Sequence, residues 1–181
     1  MNTLRALTKT TPTYTRVALP GGASARIQSW VVRFPTAAGP LSAKLAKTYR
    51  RKPLVNVGGG PVFGEIAIAE ALQQDGWLAV WADGFHSKYW SAMPGASDPV
   101  ELLPWNLMEL LTRIASRKRG KGGCFDVIAW KPKRTIFVEY KGPRDRPNKN
   151  ESQWIKAALR EGVSARDLFF VGAGARRGGN R

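Results

Sequence analysis

Residues 124–141 read CFDVIAWKPKRTIFVEYK, and this stretch decides the fold that we expect for the chain. It contains two apolar runs, 124–130 and 135–141, joined by the four residues 131–134 with Pro132 in the second position. Runs rich in Val, Ile and Phe favour β-strands, and proline in that position favours a type I turn. The stretch therefore predicts an antiparallel hairpin.

The pairing of this hairpin brings ionisable side chains together. If the turn is centred on its two middle residues, Asp126 lies directly opposite Glu139, with Cβ atoms about 5 Å apart on one face of the sheet. Because side chains alternate along a strand, Lys141 points to the same face as Glu139. We expect the three groups to form one charged patch near the end of the hairpin.

The charged patch lies in an apolar setting. Large apolar side chains occupy both faces of the predicted hairpin, with Phe125, Val127, Ile136 and Val138 on one face and Ile128 and Phe137 on the other. Charged side chains are rarely buried in a strand pair that is covered on both faces, so their presence there indicates a functional role. The alternative is an ordinary exposed pair of Glu139 and Lys141, since a Glu-x-Lys triplet arises easily by chance in a chain with seven Glu and twelve Lys.

Two opposed carboxylates repel each other unless a cation lies between them. The chain has one cysteine, Cys124, and one histidine, His86, so a cysteine-based zinc site would lack ligands. Oxygen ligands alone suit Mg²⁺ or Mn²⁺, and such an ion lowers the pKa of a bound water and stabilises charge on a phosphate. The pattern therefore predicts a divalent metal site, while a lone loop histidine such as His86 is more often structural.

The charge of the chain indicates a polyanionic partner. Lys and Arg number 29 against 13 Asp and Glu, which gives a net charge of +16 and a pI near 10.7. Ten basic residues and no acidic one precede Glu65, and ten basic residues against four acidic ones follow Tyr140. Such an excess favours nucleic acid or an anionic membrane surface as the partner.

Several other classes of protein are disfavoured. The 181 residues suit one domain, no apolar window is long enough to span a membrane, and the start of the chain lacks a secretory apolar region. A single cysteine allows no intrachain disulfide. We expect a globular protein of the cytoplasm, associated with the nucleoid if the chain is bacterial, and we do not expect organelle targeting.

Three segments are expected along the chain. Residues 1–62 form a basic N-terminal extension with two strand-like runs, 13–19 and 26–34, and a glycine-rich link at 58–60; residues 63–172 form the main domain; and residues 173–181 form a flexible basic tail. The main domain is expected to begin with a helix, a strand at 77–81, a long loop at 82–104 and a second helix. The hairpin follows, and after it come a loop at 142–150, a helix at 151–161 and a strand at 168–171. The apolar positions of the first helix are Phe63, Ile66, Ala67, Ala71 and Leu72, and those of the second are Leu107, Leu110, Leu111 and Ile114.

Asp126, followed after a second strand by Glu139-Tyr140-Lys141, resembles the motif of the PD-(D/E)XK nuclease superfamily. More narrowly, residues 137–145, FVEYKGPRD, followed by Gln153-Trp154, resemble the VRR-NUC branch of that superfamily. The resemblance spans residues 63–171, although a phenylalanine and not a proline precedes the aspartate. It implies an α/β fold with the αβββαβ core of restriction-endonuclease-like proteins, in which helices flank a mixed central sheet.

The resemblance also implies roles for individual residues. Asp126 and Glu139, with the backbone carbonyl of Tyr140, would hold Mg²⁺ or Mn²⁺, and Lys141 would orient or activate the attacking water. Two further residues are implied on the neighbouring helices. Glu65, with Glu70 as the second choice, would assist through water or a second ion, and Gln153 would brace the site.

A basic cluster precedes the first strand of the hairpin, where it is well placed to hold phosphates. The expected nucleic-acid-binding residues are Arg117, Lys118, Arg119, Lys121 and, after the second strand, Arg144. The alternative for the cluster is a solvated helix end.

The function implied is metal-dependent hydrolysis of DNA phosphodiester bonds, selective for DNA structure such as a flap, a junction or an end. Two alternatives stay open: a nuclease-fold protein that binds nucleic acid without cleaving it, and an RNA-binding component of a larger assembly. The expected partner is DNA or RNA, a homodimer stays open, and a membrane is not expected.

Overall fold

A computed structural model describes residues 11–35, 43–49, 52, 54–57, 60–84, 86–95, 98–100, 102–118, 122–142 and 145–173. The elements within these residues are β1 (Thr13–Ala18), β2 (Ser24–Val32), α1 (Ala43–Tyr49), β3 (Leu54–Val57), β4 (Gly60–Phe63), α2 (Gly64–Gln74), β5 (Leu78–Asp83), β6 (Lys88–Trp90), α3 (Trp105–Arg117), β7 (Val127–Lys131), β8 (Arg134–Lys141), α4 (Lys149–Arg160), a 3-10 helix (Ala165–Asp167) and β9 (Leu168–Ala173).

The predicted hairpin is formed by β7 and β8, and its register is the predicted one. Trp130 pairs with Thr135, and Val127 pairs with Val138, in an antiparallel ladder. The ladder ends at Val127, and the chain bends at Asp126 just before it. The first residue of the predicted charged patch therefore lies at the end of β7 and not within it.

The bend at Asp126 corrects one expectation about the core. Phe125 was expected on the face of Val127, but it packs with the residues of the opposite face and stacks on Trp154 of α4, with ring centroids 4.8 Å apart. The regular alternation of side chains applies only within the strand. Because β7 begins at Val127, the bend turns Phe125 to the other side.

A mixed sheet of seven strands in the order β1-β2-β9-β8-β7-β5-β6 forms the centre of the fold. The pairs β2–β9 and β8–β9 are parallel, and the other pairs are antiparallel. The chain crosses from β8 to the parallel β9 through α4, which is the connection that parallel neighbours require. The order α2, β5, β7, β8, α4, β9, with α3 inserted before the hairpin, agrees with the predicted order of elements.

Helices cover the sheet on both faces, as expected for a mixed central sheet flanked by helices. On one face, Ile68, Ala69 and Leu72 of α2 pack with Val127 and Val138 of the hairpin. The opposite face is covered by α3 and α4. There, Leu107, Ile114, Ile155 and Ala158 pack with apolar residues of the hairpin that include Ile128 and Phe137. The charged patch at the end of the hairpin thus lies beside a core that is buried on both sides.

The predicted N-terminal extension contributes to this sheet. Its two strand-like runs form β1 and β2, and β2 pairs with β9 in the middle of the fold. Val17 and Ile27 are buried in the core under α3 and α4, while Trp30 is buried in the core under α2. The segment also contains α1 and the hairpin of β3 and β4, which the sequence did not predict, and Gly60 of the expected link begins β4.

Smaller differences concern loops and ends. The region 82–104, expected to be a loop, contains the end of β5 and the strand β6, whose three residues are too few for a periodic pattern. Gly172 and Ala173 continue β9, and the rest of the expected tail lies outside the described residues. Among the described residues, no helix has both the length and the apolar character needed to cross a membrane.

The first residue of α2 is expected to be sensitive to substitution because it touches the hairpin. A Cβ atom added at Gly64 would lie 2.5 Å from the ring of Tyr140. We predict that Gly64→Ala lowers the free energy of unfolding by about 1–3 kcal/mol, as overpacking does, although Ala is the better helix former. Urea unfolding measures this change.

A double-mutant cycle tests the cause of this effect. In a Tyr140→Ala background the cost of Gly64→Ala should largely disappear, because the ring that the new methyl meets is gone. Gly84→Ala is the control, since no atom of the described residues, apart from its neighbours in the chain, lies within 4 Å of its Cβ position. An equal cost in both backgrounds would contradict the packing of α2 on Tyr140.

Candidate active site

Asp126 and Glu139 are held side by side by two hydrogen bonds that each join a backbone N–H to a carboxylate. The N–H of Asp126 donates to Glu139 Oε2 (3.2 Å), and the N–H of Tyr140 donates to Asp126 Oδ2 (2.9 Å). The register of the hairpin makes this exchange possible, because it places the end of β8 beside the bend at Asp126. The two carboxylates that the sequence placed opposite each other are therefore adjacent.

Lys141 joins Glu139 to a carboxylate of α4. Its ammonium group donates to Glu139 Oε1 (3.2 Å) and to Glu151 Oε1 (2.6 Å). All three side chains are about nine-tenths buried, with 11%, 11% and 5% of their surface exposed. Lys141 is therefore fixed beside Glu139 from two sides.

Glu151 is also part of a capping box that begins α4. The side chain of Asn148 accepts a hydrogen bond from the N–H of Glu151 (3.0 Å), and Glu151 Oε2 accepts one from the N–H of Asn148 (3.2 Å). A negative charge in the first turn also interacts favourably with the helix dipole. The same side chain thus begins the helix and positions Lys141.

A close backbone contact brings α4 near the hairpin. Gly123 has a positive φ of 82°, and a Cβ atom there would lie 2.7 Å from the carbonyl oxygen of Asn150. Only glycine satisfies both conditions without strain. This contact explains why the start of α4, with Glu151, lies beside the end of β8.

Glu65 approaches the carboxylate pair from α2. It is 8% exposed, and its carboxylate forms an ion pair with Lys52, which lies between α1 and β3. The Lys52 ammonium also lies 4.7 Å from the ring centroid of Trp81 in β5. The charges of Glu65 and Lys52 both act on Asp126, so these residues belong to the same electrostatic cluster.

Burial and mutual repulsion perturb the carboxylates. Burial raises the pKa of Asp126 well above its ordinary value, and the charge of Glu65 adds to this effect. The pKa of Glu139 is raised by burial and by the charge of Asp126. Burial alone would lower the pKa of Lys141, but Glu139 and Glu151 raise it and favour the ammonium form. Perturbed carboxylates of this kind are typical of functional sites.

A further buried carboxylate, that of Asp83, lies at the end of β5. Its Oδ2 accepts a hydrogen bond from the Tyr49 hydroxyl (2.6 Å) and lies 2.6 Å from His86 Nδ1. Burial would raise the pKa of Asp83, but the hydrogen bonds from Tyr49 and His86 lower it. His86 therefore has a structural partner, and Tyr49 attaches α1 to the sheet.

The structure separates Gln153 and Glu70 from this cluster. Gln153 lines a groove between α3 and α4, while Glu151, two residues earlier, holds Lys141. Glu70 is half-buried and lies five residues after Glu65 on α2, which is about 140° around the helix. Glu65, the first choice, is therefore the residue of α2 that lies in the cluster.

The predicted basic residues are partly described. Arg117 forms an ion pair with Glu161, and Lys118 is buried. Both line the groove between α3 and α4, which has a volume of about 400 Å³ and is completed by Pro20, Gln153, Lys156, Ala157 and Arg160. Arg119, Lys121 and Arg144 lie outside the described residues.

Two residues of the cluster were missed by reasoning from the sequence. Glu151 could have been found, because Asn148-x-x-Glu151 has the pattern of a capping box and begins the helix after the candidate strand. Lys52 had no such pattern, since it reaches the site only through the packing of α1. Within the described residues, no three carboxylate, histidine or cysteine side chains form a group able to hold a metal ion.

No family model, curated protein or solved structure matches the chain. A proposal about the function therefore rests on the geometry of the side chains.

The raised pKa of Glu139 predicts that this residue reduces the stability of the protein. A carboxyl group with a higher pKa in the folded chain contributes stability at low pH that is lost as the pH rises through the folded pKa. With a chelator present, Glu139→Gln should therefore raise the free energy of unfolding by about 1–2 kcal/mol at about pH 8. The gain should vanish near pH 4, where the native carboxyl is itself protonated.

Urea unfolding across this pH range measures the effect. Glu109→Gln is the matched control, because the Glu109 side chain is 55% exposed and pairs with Arg113 on the surface of α3. Its effect should stay within about 0.5 kcal/mol at every pH. A Glu139→Gln variant that is less stable than the native protein at about pH 8 would contradict the predicted repulsion.

Proposed function

We propose that the protein is a metal-dependent nuclease that hydrolyses phosphodiester bonds of DNA. The observation that carries the proposal is the adjacent placement of Asp126 and Glu139, whose carboxylates accept hydrogen bonds from the backbone N–H groups of Tyr140 and Asp126 respectively, with Lys141 hydrogen-bonded to Glu139. The order α2, β5, β7, β8, α4, β9 is the order expected from the resemblance to PD-(D/E)XK nucleases. In that superfamily these three residue types, at the corresponding positions, form the catalytic motif.

The residues present fit a hard divalent cation. Asp126 and Glu139 offer carboxylate oxygens, which Mg²⁺ and Mn²⁺ prefer, and burial together with the charge of a neighbouring carboxylate raises the pKa of each. The predicted ligands are these two carboxylates and the backbone carbonyl of Tyr140. Glu65 shares its charge with Lys52, so we assign it an indirect role. When bound, the ion would lower the pKa of water and stabilise charge on the phosphate.

Lys141 is suited to the role of a hydrogen-bond donor. Its ammonium group is held by two carboxylates, Glu139 and Glu151, so it can orient a water molecule or a phosphate oxygen with little reorganisation. Fixed donors that face developing negative charge are a major source of catalysis. Glu151 thus acts through Lys141 as a positioning residue.

The groove between α3 and α4 supports a nucleic-acid substrate. Lys118, Lys156 and Arg160 line it together with Arg117, which forms an ion pair with Glu161. Gln153, Lys156 and Arg160 follow one another along α4, so the groove runs along the helix that begins at the site. Cations arranged in this way contact phosphates independently of base sequence.

The central experiment is cleavage of labelled single strands, duplexes, flaps and junctions with Mg²⁺ or Mn²⁺. We predict that Asp126→Asn and Glu139→Gln each abolish cleavage and leave folding and DNA binding largely intact, because they remove ligand charge without changing shape. Glu109→Gln, on the exposed surface of α3, is the control. Cleavage by a well-folded Asp126→Asn variant would refute the site, and a native protein that binds DNA with metal but never cleaves would favour the alternative of a non-cleaving binder.

Substitution of Lys141 and substitution of the groove residues should have different effects on the cleavage rate and on DNA binding. Lys141→Ala should lower the single-turnover rate at saturating DNA roughly 100-fold or more with little change in the dissociation constant. Lys156→Gln with Arg160→Gln should weaken binding and reduce the slope of log K against log[salt] by about 0.9 for each lost contact with duplex DNA. Its rate at saturation should stay near normal. A Lys141→Ala variant with a normal rate would remove this lysine from the mechanism.

A further inference from the structure

The outer face of the β1–β2 hairpin is open to solvent. Alternate residues of the hairpin, including Val17, Ala25 and Ile27, are buried under α3 and α4. On the opposite face, Arg16 and Arg26 are exposed, and Tyr14 has 54% of its surface exposed. This face lies on the same side of the sheet as α2, outside the part that α2 covers.

Two arginines lie directly opposite each other on this open face. Arg16 pairs with Arg26 in the register of β1 and β2, and like charges in this position destabilise a sheet. No acidic residue precedes Glu65 in the chain, so the segment supplies no carboxylate of its own. Arg16 Nε donates to Ser24 Oγ (3.1 Å), which holds its guanidinium group along the sheet. The pair is arranged to receive an anion from outside.

An aromatic ring extends the same face. The Arg26 guanidinium lies 4.8 Å from the centroid of the Tyr14 ring, and Gln28 Nε2 donates to the Tyr14 hydroxyl (3.4 Å). Tyr14 pairs with Gln28 in the register, next to the arginine pair. The ring is thus fixed by two neighbours while more than half of its surface stays open.

We infer that this face binds single-stranded nucleic acid. Arg16 and Arg26 contact successive phosphates, and a base stacks on Tyr14. Fixed aromatic rings beside cationic side chains are the features by which proteins bind single strands without sequence preference. Nucleic acid as the partner rests on the proposed function, whereas the surface itself does not depend on cleavage.

This surface lies near the candidate active site in the plane of the sheet. Glu139 is level with Phe170 in β9, which is level with Ser29 in β2. Two strand spacings and three residues separate Glu139 from Arg26, which is roughly 15 Å across the sheet. Arg26 faces the side of α2, whereas Lys141, beside Glu139, contacts α4 on the other side, so the surface is a separate binding site.

Binding is tested by fluorescence anisotropy in a chelator, with labelled oligothymidine and a duplex of equal length as probes. Arg16→Gln with Arg26→Gln should weaken single-strand binding and reduce the slope of log K against log[salt] by about 1.4, at about 0.7 for each lost phosphate. Lys88→Gln with Lys133→Gln, at exposed positions on β6 and on the turn between β7 and β8, removes the same number of positive charges elsewhere. It should leave binding of the single strand nearly unchanged.

The ring is tested separately from the charge. Tyr14→Ala should weaken binding of the single strand roughly ten-fold and leave the duplex unaffected, whereas Tyr14→Phe should keep the native affinity. If the arginine variant behaves like its control, or Tyr14→Ala weakens both probes equally, the inference is wrong. Loss of a self-association in these variants, measured by light scattering, would instead assign the face to a second copy and overturn it.

These outcomes are independent of cleavage. A native protein that binds through this face but leaves DNA intact with Mg²⁺ or Mn²⁺ would overturn the nuclease proposal and keep the surface. If the native protein cleaves DNA and the arginine variant binds the single strand as tightly as the native protein, the nuclease proposal stands and the inference about this surface is wrong.

Discussion

The burial of Asp126 next to Glu139 is the constraint on which the candidate site depends. Two carboxylates in a poorly solvated place repel each other, and folding must compensate for both the lost hydration and the repulsion. The chain does so with backbone N–H donors from the hairpin and with Lys141. Both carboxylates nevertheless keep raised pKa values. The compensation is incomplete, which is why we propose that a cation completes the site.

The second layer of the site depends on contacts between distant parts of the chain. Lys141 is held by Glu151, whose position follows from the capping box of α4 and from the close approach of Gly123 to Asn150. On the other side, Lys52 offsets the charge of Glu65, and it is oriented by the aromatic ring of Trp81. The region before residue 63 thus contributes a side chain to the site and strands to the sheet. This region is therefore part of the central sheet and of the site.

The features that could be predicted from the sequence depend on interactions between residues that are close together in the chain. The hairpin register follows from the position of Pro132 and the alternation of side chains, so the proximity of Asp126 and Glu139 could be derived. Helix α2 could be predicted from its apolar period, and so could α3. Lys52 could not be derived, because its place depends on how α1 packs through Tyr49 on Asp83. Phe125 was assigned to the wrong face because the bend at Asp126 ends the alternation that the prediction assumed.

The distribution of charge connects the site to its surroundings. The groove of Lys118, Lys156 and Arg160 lies on the side of α3 and α4, whereas Arg16 and Arg26 lie on the opposite side of the sheet. The buried carboxylates attract cations and repel phosphates, so a polyanion approaches them only if basic residues nearby outweigh that repulsion. Positive surfaces on both sides supply this excess over a wide area. Under the proposed function, the same arrangement makes binding of nucleic acid sensitive to salt, while the proposed chemistry at Asp126 and Glu139 depends on a short-range field that salt screens much less.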